Sequence, residues 1–186
     1  LEDETQRIEL FEISSKDRAF LNMIPGGGGV IIRNKAYAAM PHKPIFHIYD
    51  LETKIISEVV PPAFESYHSA FSRYYDSVER PSDIDSEYVM NSFLLINRVF
   101  PIQLENETFI LTETSYEGSI VLFVFDHQFN LVFKSESDFS PLGINGTFIY
   151  GVQTMFDEEA ESDEVTLTIK QTNILEQITS SESVTD

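Results

Sequence analysis

The alternation of apolar and polar residues follows the same course twice along the chain, over residues 46–56 and 123–133. In both stretches an apolar run ends in an aspartate, Asp50 or Asp126, and a short polar segment separates it from a second apolar run. This pattern predicts a β-hairpin. A strand-like run precedes each hairpin, so the sequence predicts a repeated meander of at least three strands, whose faces need neighbouring sheets to be buried.

Further strand-like runs cover much of the remaining chain. They are residues 8–13, 30–32, 36–40, 93–99, 108–112, 147–152 and 165–171. Together they predict an all-β, mainly antiparallel fold. Tyr37, Phe109 and Phe148 hold equivalent places before or within hairpins, 72 and 39 residues apart. These separations favour propeller-like units of about 40 residues, with one unit missing near residues 71–75. A β-sandwich or barrel is the alternative.

Residues 61–91 break this pattern and form an expected insertion. Aromatic residues recur there at intervals of three and four, which is typical of a short helix or of an irregular, aromatic-rich insertion that ends at Pro81. Residues 82–87 have the composition of a second helix start. We therefore expect one β domain over residues 1–173, with this insertion inside it, and a polar C-terminal tail over residues 174–186.

The charge of the chain limits its partners. With 31 acidic and 12 basic residues its formal charge is −19, and the basic residues do not cluster, so nucleic acid is not an expected partner. A cationic ligand or simple solubility explains this balance better. No apolar run is long enough to span a membrane. The chain has no cysteine, which excludes a thiol nucleophile and a disulfide framework.

Several motifs that carry chemistry in other proteins are weak here. Gly26–Gly29 lacks the Lys and the following helix of a phosphate loop, so we expect a flexible connector or a close backbone approach. The acidic run 157–164 lacks the spacing of a calcium loop, and we expect a solvated turn that discourages edge pairing. The four histidines show no zinc-binding spacing. We predict no metal site, no cofactor and no catalytic residue.

One cluster in the insertion combines rings with polar groups. Tyrosine rings expose an apolar face and a polar tip, which suits stacking on a sugar or anchoring a protein partner. The alternative is that these rings only pack against each other to order the insertion. The predicted ligand-binding residues are Tyr67, His68, Phe71, Arg73, Tyr74 and Tyr75.

Both hairpins also suggest a family. Residues 46–53 and 123–130, and the closing strand at residues 146–150 with the acidic loop before residues 165–171, resemble late blades of six-bladed, TolB-like β-propeller proteins. These proteins occur as lipoproteins and secreted proteins in gut bacteria of the Bacteroidetes. The resemblance implies an extracytoplasmic, non-catalytic role in binding or scaffolding. About four units in 186 residues are too few for a ring of six.

From these observations we expect a non-catalytic binding or protein-interaction module of the bacterial cell envelope or exterior. Its partner would be a protein or a carbohydrate, and further blades or another copy of the chain could associate with it. A carbohydrate-active hydrolase with paired carboxylates is the competing class, although 31 acidic residues select no particular pair. A structural part of a larger propeller is a third reading, and a cytoplasmic location is the alternative to an extracytoplasmic one.

Overall fold

Antiparallel β-strands form most of the protein in its computed structural model. The structure describes residues 12–104, 106–156 and 165–177. Within these residues the strands form three open sheets, and in each sheet consecutive strands pair with one another. The prediction of an all-β, mainly antiparallel fold is therefore confirmed.

A helix, α1 (Ser15–Met23), precedes the first sheet. The Ser14 hydroxyl accepts a hydrogen bond from the Asp17 N–H at 3.0 Å and donates one to the Asp17 carboxylate at 2.8 Å. This is a helix N-cap, because it satisfies a backbone donor that the first turn leaves free. The sequence analysis predicted no helix in this segment. Of the strand predicted over residues 8–13, only residues 12 and 13 are described, and they form no strand.

The first sheet contains strands β1 to β4. They span Gly28–Ile32, Lys35–Ala39, Phe46–Asp50 and Ile56–Val59. Strands β3 and β4 form the first predicted hairpin, which is confirmed. The Asp50 carboxylate accepts hydrogen bonds from the N–H groups of Glu52 and Thr53, both at 2.9 Å. An aspartate ends β3 because its short side chain closes the turn in this way.

The glycine run that leads into β1 lies close to the backbone of other segments. Gly27 has φ of +76°, and a Cβ at this position would lie 2.5 Å from the carbonyl oxygen of Ala39. Its N–H donates to the carbonyl oxygen of Ile96 at 2.8 Å. Only glycine fits here, since it tolerates positive φ and brings no side chain. Strand β1 begins within the run, at Gly28, and contains the predicted apolar residues 30–32.

Two helices, α2 (Glu65–Ser77) and α3 (Ser86–Ser92), occupy the insertion. The insertion, predicted to be a short helix or irregular, is thus helical. No β unit lies near residues 71–75, where the spacing of the units left one missing, because α2 lies there. The insertion has its own apolar core, in which α1 joins α2 and α3. Its buried members are Phe20, Ile24, Phe71, Val89, Phe93 and Leu95.

The second and third sheets follow the insertion. Strands β5 to β8 of the second sheet span Leu95–Leu104, Glu107–Tyr116, Ser119–Phe125 and Leu131–Ser137. Strands β9 to β11 of the third sheet span Ser140–Asn145, Phe148–Phe156 and Val165–Asn173. The second predicted hairpin, β7 with β8, is confirmed. Its Asp126 carboxylate accepts hydrogen bonds from the N–H groups of Gln128 and Asn130.

Two expectations about loops and ends lie partly outside the described residues. Residues 174–177 are helical, so the predicted polar tail is helical at its start. The rest of that tail, residues 178–186, and the acidic run 157–164 are not described. No helix in the described ranges combines the length and apolar composition needed to cross a membrane.

The second sheet is the middle layer of the stack. Alternate residues of β7 point to opposite sides: Phe123 is buried in the core shared with the first sheet, and Leu122 and Val124 are buried in the core shared with the third sheet. The opening strands of successive sheets are neighbours, since β5 contacts both β1 and β9. This alternation explains why β7 reads as a continuous apolar run.

Candidate functional site

A cavity of about 480 Å³ opens between helix α2 and the hairpin of β3 and β4. This volume lies in the range of small-ligand sites. The wall combines charged, aromatic and aliphatic side chains. The lining residues are Glu12, Met40, Lys43, Ile45, His47, Glu58, His68, Phe71, Ser72, Tyr75 and Asp76.

The hairpin supplies a histidine and a carboxylate to this cavity. His47 on β3 pairs with Glu58 on β4, so both side chains lie on the same side of the sheet. Nδ1 of His47 lies 3.2 Å from Oε1 of Glu58. Burial lowers the pKa of His47, and the Glu58 carboxylate partly opposes this effect. His47 is therefore neutral at pH 7, whereas Glu58, with 59% of its side chain exposed, presents its charge to the opening.

Helix α2 supplies the opposite wall. His68 and Ser72 are one helical turn apart, and Oγ of Ser72 lies 3.5 Å from Nε2 of His68. Nδ1 of His68 is buried and has no hydrogen-bond partner in the described part of the chain. A buried polar atom without a partner costs free energy. A ligand that bonds to this nitrogen would remove that cost.

A buried ionic cluster stands beside the cavity. Asp17 is 4% exposed, and its Oδ1 lies 2.6 Å from Nζ of Lys43 and 3.1 Å from Nε2 of His42. Burial opposes ionisation of Asp17, but the hydrogen bonds from Lys43, Ser14 and His42 outweigh it and hold its pKa below the ordinary value. The positive charge of Lys43 is therefore already balanced before any ligand arrives.

His42 is the neutral member of the cluster. It is completely buried and stacks on the ring of Phe20, with centroids 5.0 Å apart. Burial lowers its pKa to about 4, against the opposing effect of Asp17. Since His42 is neutral at pH 7, its Nε2–H donates to the Asp17 carboxylate. Its Nδ1 has no hydrogen-bond partner among the described residues.

The faces of the Tyr75 ring are already in contact with other groups. Nζ of Lys16 and Nζ of Lys43 lie 4.4 and 4.6 Å from the ring centroid, and Phe20 stacks on it at 5.7 Å. The Tyr75 hydroxyl lies 3.1 Å from Oγ of Ser14. Tyr75 therefore shapes the cavity and anchors the ionic cluster, but does not offer an open face for stacking on a sugar.

The six predicted ligand-binding residues do not lie at one site. His68, Phe71 and Tyr75 line the cavity. Tyr74 packs against Phe20, Tyr88 and Phe93, and its hydroxyl accepts a hydrogen bond from the Asp85 N–H. Packing within the insertion, the stated alternative, therefore accounts for Tyr74.

The two remaining predicted residues lie apart from the cavity. Tyr67 faces Tyr116 of the second sheet, with centroids 5.1 Å apart, and lines a smaller cavity of about 280 Å³. Arg73 is exposed on α2. That any of the six binds a ligand stays a prediction.

Sequence reasoning missed the polar half of the cavity. Lys43, His47, Glu58 and Asp76 were not among the predicted ligand-binding residues, although they line it. The register of the predicted hairpin would have placed His47 opposite Glu58. No local pattern brings Asp76 or Lys43 to them, because that depends on how α2 packs against the sheet.

A second polar cleft, of about 410 Å³, lies where the glycine run, the second sheet and the third sheet meet. Glu113 is 2% exposed there, and its carboxylate accepts a hydrogen bond from Oγ of Ser140 at 2.7 Å. Nε of Arg98 lies 3.8 Å from its other oxygen, and Arg98 also donates to the Pro141 carbonyl. These contacts join the second and third sheets.

No family model, curated protein or solved structure matches the chain. The resemblance to propeller proteins therefore stays a prediction. Across the described ranges, no three His, Asp or Glu side chains come together as ligands for a metal ion. Any functional proposal rests on the cavity and on the stacking of the sheets.

Proposed function

We propose that the chain is a non-catalytic, propeller-like binding module that holds its ligand in the cavity between α2 and the β3–β4 hairpin. The observation that carries this proposal is the lining of that cavity. It combines a hairpin carboxylate, Glu58, with an unpartnered buried nitrogen of His68 on the opposite wall. Pockets with a few convergent polar groups and an apolar remainder are the usual form of ligand sites.

The charge of the lining favours a cationic ligand. Three carboxylate residues, Glu12, Glu58 and Asp76, line the cavity, while the charge of Lys43 is balanced by Asp17. His47 is neutral at pH 7, because burial lowers its pKa. A lysine or arginine side chain of a protein partner fits this balance better than a neutral glycan does, since it neutralises the excess negative charge.

The ionisation of the carboxyl groups supports binding over acid catalysis. A carboxylic acid that donates a proton at pH 7 needs a raised pKa. In the described ranges the clearly shifted carboxyl groups all have lowered pKa values. They are Asp17, Asp50, Asp83 and Asp126. The competing hydrolase reading has no such support.

The arrangement of the sheets supports the propeller-like part of the proposal. Three antiparallel meanders stack face to face, and strand β5 neighbours the first strands of the other two sheets. Propeller blades stack in this way, with their first strands around a central axis. The extracytoplasmic location belongs to the same proposal and is supported by the resemblance of the hairpins alone.

The test is a binding screen with short lysine- and arginine-containing peptides and, in parallel, a panel of neutral oligosaccharides. We expect peptide binding that Glu58→Gln weakens about 5- to 10-fold, because one rim charge is lost. The matched control is Glu107→Gln, which removes an equally negative, exposed side chain from the start of β6. Glycan binding that both variants leave unchanged would contradict the cationic ligand. Glycan turnover would contradict the non-catalytic function.

A further inference from the structure

The polar cleft of about 410 Å³ beside the glycine run contains a buried carboxylate with an unused oxygen. Glu113 on β6 is 2% exposed, and its Oε1 accepts a hydrogen bond from the Ser140 hydroxyl at 2.7 Å. Its Oε2 is buried and has no hydrogen-bond partner among the described residues. A buried charged acceptor without a hydrogen bond costs free energy, so a ligand that donates to Oε2 would remove this cost. We call this site the junction cleft. Its lining residues are Pro25, Gly26, Asn97, Arg98, Glu113 and Ser140.

A β-bulge in β5 brings an arginine opposite this carboxylate. Ile96 on β5 pairs with Thr114 on β6. The next pair along the strands joins Arg98 to Glu113, which leaves Asn97 as an extra residue in β5. Cross-strand partners point to the same side of a sheet, so Arg98 shares the side of Glu113. Bulges are frequent next to active sites, where they redirect a side chain.

The charges of Arg98 and Glu113 lie close together without a hydrogen bond between them. Nε of Arg98 is 3.8 Å from Oε2 of Glu113, which is longer than the usual N–H···O range of about 2.7–3.2 Å. Arg98 also donates to the Pro141 carbonyl, and 43% of its side chain is exposed. A guanidinium has five N–H donors, so donors remain for a ligand. The junction cleft therefore offers an acceptor and donors side by side.

Asn97 and the glycine run complete the wall of the junction cleft. Oδ1 of Asn97 accepts a hydrogen bond from the Ser115 hydroxyl at 3.3 Å, so the amide nitrogen of Asn97 remains as a further donor. Gly26 lies against the bulge: a Cβ there would be 2.8 Å from the Ile96 carbonyl oxygen and 3.1 Å from Cα of Asn97. The lead-in to the first sheet thus bounds the cleft on one side.

The balance of charge in the junction cleft limits the class of ligand. Its lining carries one carboxylate and one guanidinium, so its formal charge is zero. An amine alone would bring a second cation close to Arg98, and a carboxylate alone would bring a second anion close to Glu113. Like charges at such short range oppose binding. A ligand that carries both an ammonium group and a carboxylate pairs with both residues and keeps the balance.

We propose that the junction cleft binds a zwitterionic α-amino acid with a neutral side chain. Its ammonium group donates to Oε2 of Glu113, and its carboxylate accepts from Arg98 and from the amide of Asn97. One carbon carries both charged groups of an α-amino acid, a spacing that suits an acceptor and a donor 3.8 Å apart. The volume of about 410 Å³ lies in the lower part of the range for small ligands. This site is separate from the cavity at α2, and the inference does not depend on what that cavity binds.

Titration calorimetry of the wild-type chain with glycine, alanine, serine, leucine and phenylalanine tests the ligand class. We expect at least one of these amino acids to bind with a Kd below about 1 mM. Its fragments with only one charged group, which for alanine are ethylamine and propanoate, should bind at least about 10-fold more weakly. If no amino acid of the panel reaches this affinity, the proposal is overturned. A fragment that binds as tightly as its amino acid would overturn it as well.

Substitution of the carboxylate tests the location of the site. Glu113→Gln removes the negative charge but keeps an oxygen that can accept from Ser140, and we expect amino-acid binding to weaken at least about 10-fold. The matched control is Glu107→Gln, which changes an exposed residue of the same strand. Circular dichroism checks that each variant is folded. Saturating amino acid should raise Tm in the wild-type chain and in the control, but not in Glu113→Gln. An unchanged Kd in folded Glu113→Gln would overturn the assigned site.

A substitution of the partly exposed arginine gives a test that does not depend on the folding of Glu113→Gln. Arg98→Lys keeps the positive charge but loses the planar fork of the guanidinium, and we expect about 5-fold weaker amino-acid binding. Arg18→Lys, at an exposed position of α1, is the matched control. Equal affinities of Arg98→Lys and Arg18→Lys would show that the ligand carboxylate does not bind Arg98, which would overturn the proposal.

Discussion

At the scale of single residues, the Asp17 cluster determines how the protein responds to acid. His42 has a folded pKa of about 4, below the ordinary value of 6.5, because it is buried. The unfolded chain therefore binds more protons than the folded one between these two values, and stability falls as the pH drops through this window. Asp17, whose folded pKa is also lowered, adds a loss below its ordinary value of 3.8.

We predict that His42→Gln flattens this acid dependence. In the wild-type protein the free energy of unfolding should fall by up to about 3 kcal/mol between pH 6.5 and 4 because His42 resists protonation. Glutamine keeps a neutral donor for Asp17 but does not titrate. Urea unfolding at a series of pH values measures the slope.

The exposed residue His127 provides the control for this measurement. His127→Gln should leave the slope between pH 6.5 and 4 as in the wild-type protein. If His42→Gln and wild type lose stability in parallel, another group such as His47, whose pKa is also lowered by burial, carries the acid dependence.

At the scale of elements, the strands with a period of two could be predicted because their pattern is local. The two hairpins are examples, since the aspartate at the end of the first strand, Asp50 or Asp126, closes the turn by its own hydrogen bonds. Helix α1 could not be predicted in the same way. Its capping residues, Ser14 and Asp17, resemble a polar loop, and Phe20 is buried by distant residues, Phe71 on α2 and His42. The cavity escaped prediction for the same reason, since α2 completes it.

Glycine at position 151 allows Phe139, a member of the core shared by the second and third sheets, to pack over β10. A Cβ at Gly151 on β10 would lie 2.2 Å from the ring of Phe139 and 2.3 Å from the carbonyl oxygen of Ser140. We predict that Gly151→Ala lowers the free energy of unfolding by about 1–3 kcal/mol, because ring and backbone must both move.

Gly143 on β9 is the matched control for this substitution. It belongs to the same sheet, and a Cβ there meets no heavy atom within 4 Å. Gly143→Ala should change the free energy of unfolding by no more than about 0.5 kcal/mol. Chemical denaturation of both variants gives the comparison. Equal losses would show that the packing of Phe139 over β10 does not limit stability.

At the scale of the whole molecule, the charge of −19 acts against compactness. Like charges on a folded chain repel one another. In 0.1 M salt this repulsion is largely screened between charges more than about 10 Å apart. We predict that raising the NaCl concentration from about 0.02 to 0.5 M increases Tm by a few degrees. A thermal melting series measures it, with Met90→Lys, which makes the charge less negative, expected to respond less. A fall in Tm would mean that attractive pairs such as Asp17 with Lys43 outweigh the repulsion.

The class of the fold followed from local patterns, whereas the number and stacking of the sheets did not. Even spacing of the units left one missing near residues 71–75, where the chain forms α2. The aromatic residues at intervals of three and four already indicated a helix or an irregular insertion there, and local periodicity was the better guide than a global repeat. How Phe123 and Val124 divide between two cores depends on all three sheets being present.

The two sheet junctions differ in how they are joined. Main-chain hydrogen bonds link the first junction: the Gly27 N–H donates to the Ile96 carbonyl, and the Ile96 N–H donates to the Pro41 carbonyl. Side chains supply the bonds described above at the second junction, from Arg98 and Ser140. We therefore expect the first two sheets to move together, and the third sheet to move more easily relative to them. Local opening of the molecule would then displace the third sheet relative to the first two.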